Sequence, residues 1–273
     1  MKYKKVCKEV NKIKSFAIGE NKVLIGRPHE VIDFETNNVI MRSDVLFQEL
    51  YSNNLMFWIN DLYGKGYLLK KYYEVISVDE YIYTIKDQYI ITSTKIGEER
   101  FTLIKNIENE LESYKLYGSS TIYFVSSEKF FRKNFENNFI ECFSFPQGEF
   151  LWQFDLTQLG KWNYDYEEKE ERKKEVKQFV GAYNNILWIY LNSKEFIGLD
   201  IQSGELKYDI TGVEKSNLIG NVDSYIDKEN NFIFYDTEYI LDGEKGKIIG
   251  LIADRFFEVD LQSENIEPKL FGL

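Results

Sequence analysis

Apolar and aromatic residues alternate with polar ones most regularly between Ile186 and Ile210, and the remainder of the chain reads as variations on that stretch. Ile186 to Asn192 predicts one strand, Glu195 to Ile201 a second and Glu205 to Ile210 a third, with the period of two that a half-buried antiparallel sheet requires. Ser203 and Gly204 supply the tight turn before the third strand, since glycine accepts the positive φ that such turns demand.

The same strand, turn, strand pattern recurs. Phe139 to Phe154 carries it, with Gly148 at the position of Gly204 and Glu149 at that of Glu205. Phe256 to Ile266 carries it with Ser263 matching Ser203 and Glu264 in place of the glycine. Tyr89 to Leu103 repeats it with Gly97, and Val31 to Ile40 with Asn37, a residue that tolerates the left-handed conformation nearly as well as glycine. Turns at 37, 97, 148, 204 and 264 are spaced by 60, 51, 56 and 60 residues, so each interval has room for four short strands. Such recurrence in an all-β chain predicts a β-propeller, in which no blade can bury both faces alone and several must close in a ring. One blade per interval gives about five four-stranded blades; six or seven follow if weaker repeats lie inside the long intervals, around Tyr67 to Val75 or Tyr225 to Asp242. A β-sandwich or a non-repeating all-β fold is the alternative.

Two runs sharpen that reading. Gly148 to Phe154 (Gly-Glu-Phe-Leu-Trp-Gln-Phe) and Leu199 to Leu206 (Leu-Asp-Ile-Gln-Ser-Gly-Glu-Leu) resemble the turn and outer strand of quinoprotein-like (PQQ-type) and related WD-type propeller blades. The resemblance covers residues 139 to 210, lacks the WD dipeptide, and has a repeat longer than the roughly 40 to 45 residues of a WD blade. It implies the fold and not the quinone, because enzymes of that type are longer and exported; no cofactor is expected.

One stretch breaks the strand pattern. Trp162, Tyr164 and Tyr166 precede the charged run Glu167 to Lys177, whose acids come first and bases last, as the helix dipole prefers. Glu168 with Arg172 and Glu170 with Lys174 stand at helical i,i+4 spacing. The run predicts a short exposed helix or flexible loop, an insertion near 160–177 in a single domain spanning 1–273.

Composition adds compartment and charge. Cys7 and Cys142 lie far apart, which argues against a disulfide framework and for a reducing compartment. The basic leader, residues 1–22, has no apolar run behind its lysines that could serve as an export signal, and no window approaches 18 apolar residues; a soluble cytoplasmic protein is expected, with no membrane partner. That leader carries seven Lys against two Glu, a net +5, which leaves −16 on the other 251 residues of a chain at −11. Residues 195–273 alone hold 17 acids and 7 bases. An acidic body disfavours nucleic acid and anionic membranes and favours a basic partner.

Candidate chemistry is sparse. His29 is the only histidine, and no nucleophile elbow, metal-ligand spacing or phosphate-binding loop accompanies it. The expectation leans away from an enzyme and from any metal. A pair of carboxylates in a central pocket would make a propeller glycosidase or a small-molecule or sugar-binding protein, which is the alternative. An acidic, repeat-built chain without chemistry of its own is similar to bacterial toxin-immunity proteins. That similarity implies a non-enzymatic protein-binding propeller that neutralises a cognate toxin by direct contact. The expected contact face combines Asp223, Asp227, Glu229, Asp242 and Glu244 with exposed Trp162, Tyr164 and Tyr166.

Overall fold

The computed structural model describes residues 15–271 apart from 20–21, 53–55, 71–73, 110–111, 119, 121, 127, 135, 164–170, 194, 211–238, 253–254, 264–265 and 267. Among these residues the regular structure is β throughout, save one 3-10 turn at Leu156–Leu159. The first sheet holds β1 (Ser15–Gly19), β2 (Lys22–Gly26), β3 (Glu30–Asp33) and β4 (Val39–Arg42). The second holds β5 (Phe47–Ser52), β6 (Phe57–Asp61), β7 (Gly66–Leu69) and β8 (Val75–Val78), and the third β9 (Tyr81–Lys86), β10 (Tyr89–Ile96), β11 (Glu99–Asn106) and β12 (Ser113–Tyr117). In the fourth stand β13 (Tyr123–Val125), β14 (Lys129–Asn134), β15 (Phe139–Ser144) and β16 (Phe150–Asp155). A small hairpin follows, β17 (Lys161–Asn163) with β18 (Glu171–Lys173). The fifth sheet has β19 (Val176–Tyr183), β20 (Ile186–Leu191), β21 (Phe196–Asp200) and β22 (Leu206–Ile210), and the sixth β23 (Ile240–Asp242), β24 (Lys247–Ile252), β25 (Arg255–Asp260) and β26 (Pro268–Phe271).

Every four-stranded sheet is an antiparallel meander in chain order. Its first-to-second and third-to-fourth turns therefore lie at one end, the turn end. Its second-to-third turn and its links to neighbouring sheets lie at the other, the connection end.

The chain divides into two compact units, residues 1–119 and 120–273. In the first, Leu24 and Val31 of the first sheet pack on Phe47 and Ile59 of the second, whose other face sets Trp58 and Leu68 against Ile82 and Ile90 of the third. In the second unit, Phe131, Cys142 and Trp152 of the fourth sheet meet Leu187, Ile197 and Leu199 of the fifth, which turns Trp188 and Phe196 toward Tyr239, Ile248 and Val259 of the sixth. The fifth sheet is thus buried on both faces, as its near-continuous apolar strands Ile186–Leu191 and Phe196–Asp200 require.

Several sequence expectations change here. The 60-residue interval between turns 37 and 97 contains a whole extra sheet, the second, which includes the Tyr67 to Val75 stretch. Gly97 sits between the second and third strands of its sheet, whereas Asn37, Gly148 and Gly204 sit between third and fourth strands, so Gly97 is not equivalent to Gly148 and Gly204. The charged run is not a helix where it is described: Glu171–Lys173 is a strand paired with Lys161–Asn163, and Lys161 Nζ donates to Glu171 Oε2 at 3.0 Å across it. Lys174 turns inward to an ion pair with Glu195. Part of the basic leader, Ser15–Gly19, is the first strand.

Candidate interaction surface

Three turns share one construction. In the turn after β3, Asp33 N donates to Asn38 O (3.0 Å) and Asn37 N to Asp33 O (2.8 Å). Ser144 N to Glu149 O and Gly148 N to Ser144 O repeat this after β15, and Asp200 N to Glu205 O and Gly204 N to Asp200 O repeat it after β21. The fifth residue of each turn needs positive φ, and Asn37, Gly148 and Gly204 stand at 58°, 73° and 75°. The first residue caps the turn: the carboxylate of Asp200 accepts from the N–H groups of Gln202 and Ser203, as that of Asp33 does from Glu35 and Thr36. Those backbone donors, Ser203 foremost, hold the Asp200 carboxyl below its ordinary range.

In the second unit the turn ends are tied to one another. Lys129, nearly buried, donates from Nζ to Ile201 O and to Gln202 Oε1, both at 2.8 Å, and Trp152 Nε1 donates to the same carbonyl at 3.0 Å. Phe145 N donates to Glu128 O at 2.8 Å. Farther along, Ile201 N donates to Asn185 O, Leu261 N to Gly246 O, and Gln262 Nε2 to Tyr183 Oη. The turns of the fourth, fifth and sixth sheets thereby form one hydrogen-bonded row.

That row is acidic and has apolar neighbours. Glu128, Glu149, Glu205 and Glu244 are exposed on it, with Asp200, Asp242 and Asp260 half-buried among them. Phe150 follows Glu149 and is 56% exposed, and Leu206 and Tyr208 follow Glu205 on the outer strand of the fifth sheet. Tyr208, 39% exposed, stacks on Trp188 with ring centroids 5.2 Å apart, which fixes one side of the ring.

The residues predicted for this role are divided by the fold. Asp242 ends β23 and Glu244 lies in the turn after it, both at the turn end. Asp242 accepts from the N–H groups of Glu244 and Lys245 and pairs with Lys245 Nζ at 3.1 Å; the backbone bond from Lys245 is the main reason its carboxyl is held low. Trp162 lies on the hairpin between the fourth and fifth sheets, at the connection end, and is half-buried rather than exposed. It therefore does not share a face with Asp242 and Glu244. Tyr164, Tyr166, Asp223, Asp227 and Glu229 lie outside the described residues. Sequence reasoning missed Phe150, Leu206 and Tyr208, although Glu-Phe-Leu and Glu-Leu-Lys-Tyr directly after the aligned glycines carried the signal.

Other chemistry is thin among the described residues. No group of three or more His, Cys, Asp or Glu gathers as it would around a metal ion. His29, exposed, has Nδ1 3.2 Å from Ser43 O and lines an open depression of about 400 Å³ with Glu30, Arg42, Ser43 and Asp44.

Successive four-stranded meanders, each stacked on the next within its unit, define the β-propeller class, and likeness to solved structures places the chain there. BamB from Moraxella catarrhalis is similar over 95% of this chain and 77% of its own, with TM-score 0.58 at 8% identity. Sqt1 of Saccharomyces cerevisiae is similar over 96% and 75%, with TM-score 0.59 at 9% identity. The dihydro-heme d1 dehydrogenase NirN, solved in complex with DHE, is similar over 94% and 57%, with TM-score 0.58 at 12% identity. All three are β-propellers. At such identities the likeness concerns the fold alone. No protein-family profile and no curated protein sequence matches the chain.

Proposed function

We propose that this chain is a non-enzymatic, cytoplasmic protein-binding propeller, that its blades are the six four-stranded sheets, of quinoprotein-like type, and that it acts as an immunity protein by covering a basic cognate toxin. One observation carries the reading: the hydrogen-bonded row of turns in the second unit, which brings Glu128, Glu149, Glu205 and Glu244 to one end of the sheets, with Phe150 directly after Glu149 and Leu206 and Tyr208 just after Glu205. Carboxylates on such a row steer and register a basic partner, and the neighbouring aromatic and aliphatic groups supply the desolvated contacts that dominate affinity. Turns already fixed by Lys129 and Trp152 lose little freedom when a partner arrives, so more of the contact energy survives as affinity.

The purified protein is to be used to capture its partner from lysate of its own cells, and the association rate then measured against salt. The expected partner is a protein with a basic contact surface, and its association rate falls by about tenfold or more as salt rises. Glu149→Lys with Glu244→Lys weakens that salt dependence, and Phe150→Ser accelerates dissociation. A partner with no basic surface, or an association rate indifferent to salt, overturns the electrostatic reading. A bound sugar or metabolite in place of a protein moves the assignment to the small-molecule class.

A further inference from the structure

Every four-stranded sheet ends in an outer strand, and among the described residues no strand pairs with the far edge of any of them. Such an edge presents unpaired N–H and C=O groups, which proteins blunt with cations, proline or short length. Five of the six outer strands are blunted here. Arg42 lies on β4, Lys115 on β12, Lys207 on β22, and Pro268 and Lys269 on β26. β8 is four residues long, and the acids just past it, Asp79 and Glu80, are matched by Lys65 and Lys105.

β16 is the exception. At six residues, Phe-Leu-Trp-Gln-Phe-Asp, it is the longest outer strand and has no Lys, Arg or Pro. Bulges put one extra residue into β4, β16 and β22, at Ile40, Leu151 and Lys207. Where β22 thus has a lysine, β16 has a leucine that is 43% exposed. Beyond the bulge, Leu156 N donates to Asn138 O at 3.3 Å, and bonds to β15 recur at every second residue. Phe154 and Trp152 therefore direct their backbone groups to β15, and Gln153 directs its own outward. The strand is already fixed, by the Trp152 bond to Ile201 O and by the edge-on contact of Phe150 with Phe143.

Charge selects what can pair there. Residues 123–155, the fourth sheet, hold five acids and three bases. All three bases stand on β14 and are engaged from within, Lys129 by Ile201 O and Gln202, Arg132 by Glu141 and Lys133 by Glu175. Glu149 and Asp155, which bracket the open edge, pair with no cation among the described residues; Asp155 spends Oδ1 on Thr157 N and Oγ1, at 2.8 and 2.7 Å. A second copy is disfavoured. Twofold antiparallel pairing of two β16 strands brings Glu149 of one copy beside Asp155 of the other at both ends, and like charges facing across strands repel. We propose that β16 accepts an extended basic segment of the partner as a fifth strand of the fourth sheet. Its backbone pairs at Gln153, an apolar side chain packs on Leu151, and Lys or Arg near its two ends meet Glu149 and Asp155. This mode of contact rests on the acidic-row reading above and fixes how the basic partner's chain runs.

Two displayed peptide libraries with randomised interiors, one flanked by Lys at both ends and one by Glu, are to be selected on the intact protein at low salt. The Lys-flanked library is expected to yield binders with β-branched or aromatic interiors and no proline, and the Glu-flanked library none. In the best binder, N-methylation at residues of one parity weakens affinity by about tenfold or more, and at the other parity leaves it unchanged, because only alternate N–H groups face the edge. Gln153→Pro removes an outward N–H, which an edge strand tolerates, and weakens the peptide by the same factor with an unchanged thermal melt. Should that variant not fold, the methylated peptides give the test on the unaltered protein. Methylated peptides of both parities that bind as the parent does, with salt still weakening them, overturn strand addition and leave the acidic row standing. A Lys-flanked library without binders also overturns strand addition, while the association rate of the captured partner decides the acidic row separately. Equal yields from the Glu-flanked library, or self-association of the protein that Gln153→Pro abolishes, overturn the choice of a basic occupant.

Discussion

Replacing Gly204 by alanine tests whether the turn row is as rigid as its hydrogen bonds imply. Gly204 stands at φ 75°, where an L side chain costs about 1–2 kcal/mol. A Cβ there would also lie 2.6 Å from Trp152 Cε3 and 2.7 Å from Cδ2. The indole would have to move, yet it is held by its bond to Ile201 O and packed among Phe131, Leu187 and Leu199. Such overpacking costs typically about 1–3 kcal/mol, and loss of the indole bond adds about 1. The total expected is about 3–6 kcal/mol. Gly97 has a similar φ, 65°, with nothing within 4 Å of the added carbon, so Gly97→Ala should cost only the conformational 1–2 kcal/mol. Urea unfolding followed by far-ultraviolet circular dichroism measures both. Adding Trp152→Leu completes a double-mutant cycle, in which about 2 kcal/mol of coupling between positions 152 and 204 is expected. Equal costs for the two glycines, or additive effects in the cycle, would refute the claim that the indole and the turn hold each other in place.

Arg132 Nε donates to Glu141 Oε2 at 2.7 Å and its guanidinium lies over the Phe143 ring, with both partners nearly buried, so Arg132→Met alone should cost about 3–5 kcal/mol in urea unfolding. Adding Glu141→Leu should restore most of that, and a double variant no better than the single would contradict the account. Asp200 and Asp242 have carboxyls held low by backbone N–H groups. Their stabilisation is complete above the unfolded value of about 4 and disappears as pH falls through the lower folded value, so Asp200→Asn with Asp242→Asn should flatten the acid limb of a stability-versus-pH curve. Burial pushes the Cys142 thiol up to about 12, so in a Cys7→Ser background iodoacetamide at pH 8 should leave the native protein unmodified by mass spectrometry and label it once unfolded.

The legible parts of the fold were those where one residue has one job. Asp200 with Gly204 and Ser144 with Gly148 could be aligned because a capping oxygen and a positive φ four residues later are both needed in a short turn. The second and third sheets escaped that alignment because their third-to-fourth links close at a different length, although Asn106 Oδ1 accepts from Glu108 N and Asn109 N as Asp33 and Asp200 do in their turns. Lys70 N bonds to Glu74 O across one, and Asn106 N to Glu112 O across the other, where Glu112 also receives Tyr89 Oη and Asn106 Nδ2. Gly97 looked equivalent because glycine followed by glutamate suits a tight two-residue hairpin as well as a five-residue turn, and only the pairing of Ile96 with Glu99 separates them. The charged run misled for a related reason: oppositely charged residues that pair along a helix also pair across a hairpin, as Lys161 and Glu171 do.

The acidity of the C-terminal region was legible, but its arrangement was not, because charge counts carry no direction. Within an antiparallel meander, a residue's end of the sheet is set by which strand it terminates. Glu149 and Glu205 precede fourth strands and Glu244 follows a first strand, which brings all three to the turn end. Trp162, in a link between sheets, is carried to the opposite end by the same parity. Parity thus exchanges the aromatic partners of the acids, from the link to Phe150, Leu206 and Tyr208 on the outer strands. The exchange changes the mechanics of recognition as well. Side chains on strands whose turns are pinned by Lys129, Trp152 and Asn185 are in place beforehand, so little conformational freedom is left for a contact to remove.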